Sequence, residues 1–317
     1  MIGRLFRFLI ILASAILLFA LPGFAADQAG FPLTVRDDRG TALTLEKKPQ
    51  RIVSLTLPTD EMLLSLVDSS RLAAITTLSA DRVLSNVVDL AAKVPVKLTL
   101  NVEKVISLRP DLVLVAPWSD AAQVTLMRNA GLPVYIMAGA TTVDEVEQKI
   151  ERLATMTGET ERGSAIIETM QGKLRSVAQR VATVPEGKRL RVLDYASWGG
   201  AQGRGSSWDE IVRRAGLINA AAPFSTDEWN QVPLSREKLL TLDFDVLVLS
   251  GGMYGRTGQP YDAQILGDPA LRSLKAVKTH RVYVIPESLK DATSQYIADA
   301  VEWLARTAYP DLFTTGR

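Results

Sequence analysis

No proline interrupts the chain between Pro133 and Pro185, and apolar residues recur there at helical spacing almost throughout. This stretch constrains the fold most, because a long unbroken helical segment in mid-chain must either cover a core or join two of them. Thr142 and Glu145 have the spacing of a reciprocal helix cap, and Val143, Val146, Ile150 and Leu153 follow on one face. That helix should stop near Thr157 and Gly158. A second helix is predicted over about 161–183, with Ile166, Ile167, Met170, Leu174, Val177 and Val181 on its apolar side. At 1.5 Å per residue it would span roughly 35 Å, enough to act as a strut between two units.

Strands and helices alternate on both sides of this stretch. Before it, a β hairpin is expected from 31–35 and 42–45 around the turn Asp37-Asp38-Arg39-Gly40. Strands over 51–55, 73–76, 111–116 and 134–137 are separated by helices over 59–67, 102–108 and 121–130. Thr59 reads as the cap of the first of these helices, with Asp60 and Glu61 in its first turn. After it come strands over 190–195, 245–250 and 281–285 and helices over 208–215, 236–242 and 295–307. Such alternation predicts an α/β fold with parallel sheets, here in two units.

The two units repeat one another. Residues 100–116 align without gaps to residues 234–250, with five of the 17 positions identical and most others apolar in both. Each copy opens on a capping residue, Asn101 or Ser235, followed by Glu103 or Glu237 in the first helical turn. A carboxylate there meets the positive end of the helix dipole.

The composition removes many chemistries. With no cysteine there are no disulfides, thiolate zinc sites, iron–sulfur clusters or cysteine nucleophiles. His280 is the single histidine, which argues against a metal or acid–base centre built on imidazoles. The 36 basic and 35 acidic residues balance, so no net field points to nucleic acid. Gly203-Arg-Gly205-Ser-Ser-Trp208 lacks the third glycine of a dinucleotide loop, and no Gly-x-Ser-x-Gly elbow occurs. Neither a catalytic nor a metal site is expected.

The first residues read as an export signal. Arg4 and Arg7 precede an apolar run over 9–21, and Gly23 and Ala25 supply small residues before a cut after Ala25. The run is shorter than the roughly 20 residues that a membrane span requires. No cysteine follows to carry a lipid, so a free periplasmic protein is expected. The predicted division is a signal peptide at 1–25, the hairpin at 26–50, one α/β lobe at 51–159, the linking helix at 160–184 and a second lobe at 185–317.

Several aromatic and cationic residues follow strands, where open parallel sheets place their crevice. Trp118 and Trp198 follow the strands ending near 116 and 195. Tyr254 and Arg256 lie in the glycine-rich segment after 250, Arg204 lies just beyond Trp198, and Trp229 precedes the Glu237 helix. Aromatic faces suit a bulky flat ligand, and the guanidinium groups of Arg204 and Arg256 suit an anionic one.

The twin pattern Asn101-Val-Glu-Lys-Val-Ile-Ser-Leu-Arg-Pro-Asp111 and Ser235-Arg-Glu-Lys-Leu-Leu240, the long linking helix and the stretch Gly205-Ser-Ser-Trp-Asp-Glu-Ile-Val-Arg-Arg-Ala-Gly216 together resemble the class III periplasmic substrate-binding proteins of ABC importers for cobalamin, ferric siderophores and haem. The resemblance implies two Rossmann-like lobes joined by a single long helix, with the ligand cleft between them. It also implies that Glu103 and Glu237 dock into arginines of the permease, and that Trp118 and Trp229 match aromatic contacts of the cobalamin binders. Where those members carry a further tryptophan before Asn101, this chain has Lys97. The implied function is capture of an iron–siderophore or corrinoid ligand for an ABC permease and its ATPase subunits. The chain would act as a monomer without a cofactor. A haem carrier and an exported ligand-sensing or scaffold domain are the alternatives.

Overall fold

The structure, a computed structural model, describes residues 30–250, 261–290 and 292–314. The first unit begins with β1 (Leu33–Arg36) and β2 (Ala42–Leu45), paired antiparallel as the turn sequence requires. There follow β3 (Ile52–Ser54), α1 (Leu57–Leu66), β4 (Leu72–Thr76), α2 (Val88–Ala91), β5 (Lys97–Leu98), α3 (Val102–Ser107), β6 (Leu112–Val115), α4 (Ala121–Asn129) and β7 (Val134–Ile136). These strands form a wholly parallel sheet in the order β5-β4-β3-β6-β7. Two helices then occupy the proline-free stretch, α5 (Val143–Thr157) and α6 (Thr160–Val181).

The second unit contains β8 (Arg191–Ala196), β9 (Gly200–Gln202), α7 (Ser207–Arg214), β10 (Ile218–Asn219), β11 (Gln231–Pro233), α8 (Arg236–Thr241) and β12 (Val246–Ser250). It continues through α9 (Tyr261–Gly267), α10 (Lys275–Lys278), β13 (Val282–Val284), α11 (Glu287–Lys290) and α12 (Ile297–Ala308). Its sheet runs β11-β9-β8-β12-β13, with β10 beside β8. It is not wholly parallel. β9 turns back against β8 through a tight turn at Gly199, whose φ of +90° favours glycine.

The two helices of the middle stretch are built as their sequence suggests. Thr142 and Glu145 cap α5 reciprocally, and Gly158 ends it in the left-handed conformation. With 22 residues, α6 is about 33 Å long. Its buried Met170, Val177 and Val181 share one core with Ile52 and Leu114 of the first sheet and Val192 and Val248 of the second. A Cβ on Gly163 would stand 2.5 Å from that of Ala154, so glycine is what lets α6 lie this close to α5. One correction concerns α1. Thr56, not Thr59, caps it, because Pro58 needs no hydrogen-bond partner for a missing N–H and the helix can begin before it.

The internal repeat has a physical explanation that extends beyond its own residues. Asp111 accepts the backbone N–H groups of Gln50 and Arg51, both at 2.7 Å, and returns its own N–H to the Arg51 carbonyl. Asp245 accepts the Arg191 N–H at 2.9 Å and likewise returns its N–H to Arg191. Each shared aspartate therefore clasps the start of its own strand, β6 or β12, to the start of the neighbouring strand, β3 or β8. Partial burial works against ionisation of Asp245, but the Arg191 N–H and Lys275 outweigh it and hold its carboxyl below the ordinary range. Hydrogen bonds to a charged acceptor contribute about 1.5–3 kcal/mol each in favourable settings. Because Asp111 is only partly buried, Asp111→Ala should destabilise the fold by about 1–2 kcal/mol, measured as a lower urea midpoint with an unchanged slope.

Candidate functional site at the strand ends

In a parallel sheet every strand ends on one edge, so the loops after β3, β4, β6 and β7 gather there. A small crevice of about 20 Å³ opens at that edge. It is lined by Thr56, Thr59 and Met62 of α1, by Trp118 after β6, by 137–140 after β7, and by Thr293 from the second unit. Trp118 is 68% exposed. Its loop is held by the N-terminal hairpin, since Arg39 donates to the Pro117 carbonyl at 2.6 Å. Lys149, also in the lining, is paired with Asp38 at 3.2 Å. Partial burial opposes ionisation of Asp38, but the Ala138 N–H, Lys149 and Arg152 more than compensate and keep its carboxyl low. The hairpin therefore buttresses the crevice, a role its turn sequence did not disclose.

The other predicted residues are dispersed. Trp198 is 47% exposed on the β8–β9 turn, with its ring laid against Gly200, where any Cβ would collide with it. Trp229 is 60% exposed in the loop before β11, on a turn whose N–H groups at Trp229 and Gln231 both bond Asp227. Both stand outside the lining of the crevice that holds Trp118. Arg204 is exposed beside the Ala222 carbonyl. Tyr254 and Arg256 lie outside the described residues. Two residues that sequence reasoning missed, Leu78 and Val83, are each 45% exposed in the segment after β4. Only Leu78, two residues past the end of β4, shares the strand-end position that singled out Trp118.

Glu103 and Glu237 occupy equivalent places. Each is exposed in the first turn of a six-residue helix, α3 or α8, whose cap, Asn101 or Ser235, accepts an N–H two places beyond the glutamate's predecessor, at Lys104 or Lys238. β5 runs parallel to β4 into α3, and the return strand β11 runs into α8, so both glutamates follow the forward end of a strand. Neither carboxylate pairs with a side chain among the described residues.

Beneath the crevice lie two carboxylates that look, in sequence, like ordinary first-turn acids. Asp60 is fully buried. Its Oδ2 accepts the Thr76 N–H at 2.8 Å, the Thr76 hydroxyl at 2.7 Å and the Ser79 hydroxyl at 2.5 Å, while Oδ1 has no partner. Burial pushes its carboxyl up to about 6 in spite of these donors. Glu61 is also buried, and burial raises its carboxyl too. A larger groove of about 400 Å³ lies toward the other end of α1, between α6 and α12. It is walled by helix side chains and the Lys173–Asp299 ion pair, and it carries none of the strand-end aromatics. Among the described residues there is no cluster of His, Asp and Glu that could hold a metal ion, and no helix long and apolar enough to cross a membrane.

Residues 52–289 match the periplasmic binding protein family. The chain belongs to that family. It is 27% identical over 289 residues to an uncharacterised ABC transporter substrate-binding lipoprotein, YvrC, of Bacillus subtilis, covering 89% of this chain and 87% of that one. It is 26% identical over 294 residues to a cobalamin-binding protein of Halobacterium salinarum, covering 89% and 78%. The molybdate-bound periplasmic binding protein MolA of Haemophilus influenzae superposes with a TM-score of 0.73 at 20% identity, covering 89% of this chain and 92% of that one. The chain is thus a substrate-binding component of ABC transport with the two-lobed α/β fold, a carrier of ligands and not an enzyme.

The buried Asp60 gives the family member a pH signature. A carboxyl raised on folding contributes stability that is full below its ordinary value of 3.8 and is lost as pH rises through about 6. The loss amounts to up to about 3 kcal/mol. Urea unfolding at several pH values between 3.5 and 7.5 should show this decline, and Asp60→Asn should reduce it to the part that Glu61, raised in the same direction, contributes.

Proposed function

We propose that the protein captures a corrinoid or an iron–siderophore chelate in the cleft between its lobes and hands it to an ABC permease and its ATPase subunits. It would do so as a monomer in the periplasm, with the segments 51–159 and 185–317 as the two gripping halves. The observation that supports this best is that exposed large apolar side chains follow strands of both lobes, Trp118 after β6 and Leu78 and Val83 after β4 of one and Trp198 after β8 of the other. A water-exposed tryptophan face suits a ligand that is flat and partly apolar. A corrinoid is the preferred member of the pair, given the likeness to a cobalamin-binding relative across most of the chain. Trp229, Arg204, Tyr254 and Arg256 complete the proposed contact set.

Glu103 and Glu237 serve as the docking pair. Two unpaired, exposed carboxylates at matching positions can each meet an arginine on a two-fold partner. Ordinary first-turn acids would contribute only about 0.3–1 kcal/mol to their helices.

Two measurements test this reading. Trp118→Ala should weaken cyanocobalamin binding by at least about tenfold in calorimetry, with little change in melting temperature, as expected for an aromatic anchor. Unchanged affinity for cyanocobalamin and for a panel of ferric siderophores would remove Trp118 from the site. Changing Glu103 and Glu237 together to Arg should abolish uptake in a reconstituted importer while leaving ligand affinity intact, and normal uptake by that variant would end the docking role.

A further inference from the structure

Glu61 sits where the two lobes meet. Its Oε1 accepts the Asn86 backbone N–H at 3.0 Å and the Asn86 side-chain amide at 2.9 Å. That same amide also donates to the Ser288 carbonyl of the second lobe at 2.9 Å. Oε2 accepts the hydroxyl of Ser294, again from the second lobe. One turn further along α1, Gln295 donates to the Glu61 carbonyl at 2.9 Å and to the Ser65 hydroxyl at 3.1 Å.

The neighbours of this carboxylate are ordered along both chains. On α1, Thr59 and Met62 line the crevice, Glu61 faces the second lobe and Ser65 lines the groove at the helix's other end. Opposite them, Thr293 lines the crevice, Ser294 bonds Glu61 and Gln295 lines the groove. Any rotation that widens the crevice must therefore draw Ser294 and Ser288 away from Glu61 and Asn86.

We propose that Glu61 is a latch that sets the spacing of the two lobes, and with it the separation of the helices α3 and α8. The physical reason is the cost of leaving a carboxylate short of donors. Glu61 is 3% exposed, and among the described residues no Lys or Arg pairs with it, so it depends on donors from both lobes at once. Losing one of them strands a buried charge, which is far worse than losing an exposed hydrogen bond. The lobe spacing thus occupies a steep well, where α6 alone would allow it to flex. The meaning of that spacing for transport rests on the docking reading of Glu103 and Glu237.

Because the chain has no cysteine, a single pair of introduced thiols reports the spacing cleanly. Ser107→Cys on α3 and Thr241→Cys on α8, both exposed, carry spin labels, and their distance distribution is read by pulsed electron resonance without ligand. Ser294→Ala and Glu61→Ala should each shift and broaden the distribution, while circular dichroism remains that of the parent. Glu61→Gln should restore the narrow distribution, since its amide can accept from Asn86 and donate to Ser294. Should Glu61→Ala fail to fold, Ser294→Ala, which removes only a hydroxyl, decides the matter. An unchanged distribution in Ser294→Ala and in every folded Glu61 variant overturns the latch. Adding cyanocobalamin to the parent is a separate measurement, so failure of the ligand reading leaves this result standing.

Discussion

The packing of α6 against both sheets is the constraint on which the rest of the molecule depends. Its Met170, Val177 and Val181 lie in one continuous core with side chains of β3, β6, β8 and β12. The lobes consequently cannot part as independent bodies without exposing apolar surface, at about 25 cal/mol for each Å². Close approach is secured at both ends of the helix. Gly163 admits Ala154 near its start, and Gly216, at a φ of +75°, receives Val181 near its end. A helix held this way sets the general arrangement of the two strand-end edges.

The proposed ligand contact Trp118 is carried by one of those edges. Parallel strands deliver their loops to one side, and the aspartate clasps at Asp111 and Asp245 fix the neighbouring strand starts at the other side. The lobes meet through polar contacts around Glu61 and through Arg214 and Asp144 at 3.2 Å, where α7 faces the start of α5. Apolar burial therefore sets the general arrangement, while directional hydrogen bonds select one spacing within it. Such a division suits a binding protein. Its cleft must be shaped before the ligand arrives, since ordering it on arrival would cost affinity.

Much of this was legible from the chain alone, for identifiable reasons. The cap at Thr142 and Glu145, the stop at Gly158 and the apolar stripe of α6 depend on residues a few positions apart, and they formed as read. The matching glutamates and aspartates of the repeat declared two similar units, and both units are present. Less legible was α1. Asp60 and Glu61 occupy the first turn, where an acid stabilises a helix whether it faces water or a core, so nothing local showed that both are buried. Exposed Leu78 and Val83 went unnoticed because an isolated surface aliphatic is ordinary.

By itself, the sequence determined the alternation of strands and helices, the long central helix and the placing of aromatics after strands. These follow from backbone geometry and from side-chain spacing over one or two turns, which neighbours in the chain dictate. Only the tertiary structure decided that Thr293 would face Trp118 across a crevice, that Arg39 would brace the Trp118 loop, and that Ser294 would meet Glu61 across 233 positions of chain. Contacts of that kind depend on how two folded lobes dock on a shared helix. Their energy resides in desolvation and in the direction of a few hydrogen bonds, quantities that do not exist until distant segments have been brought together.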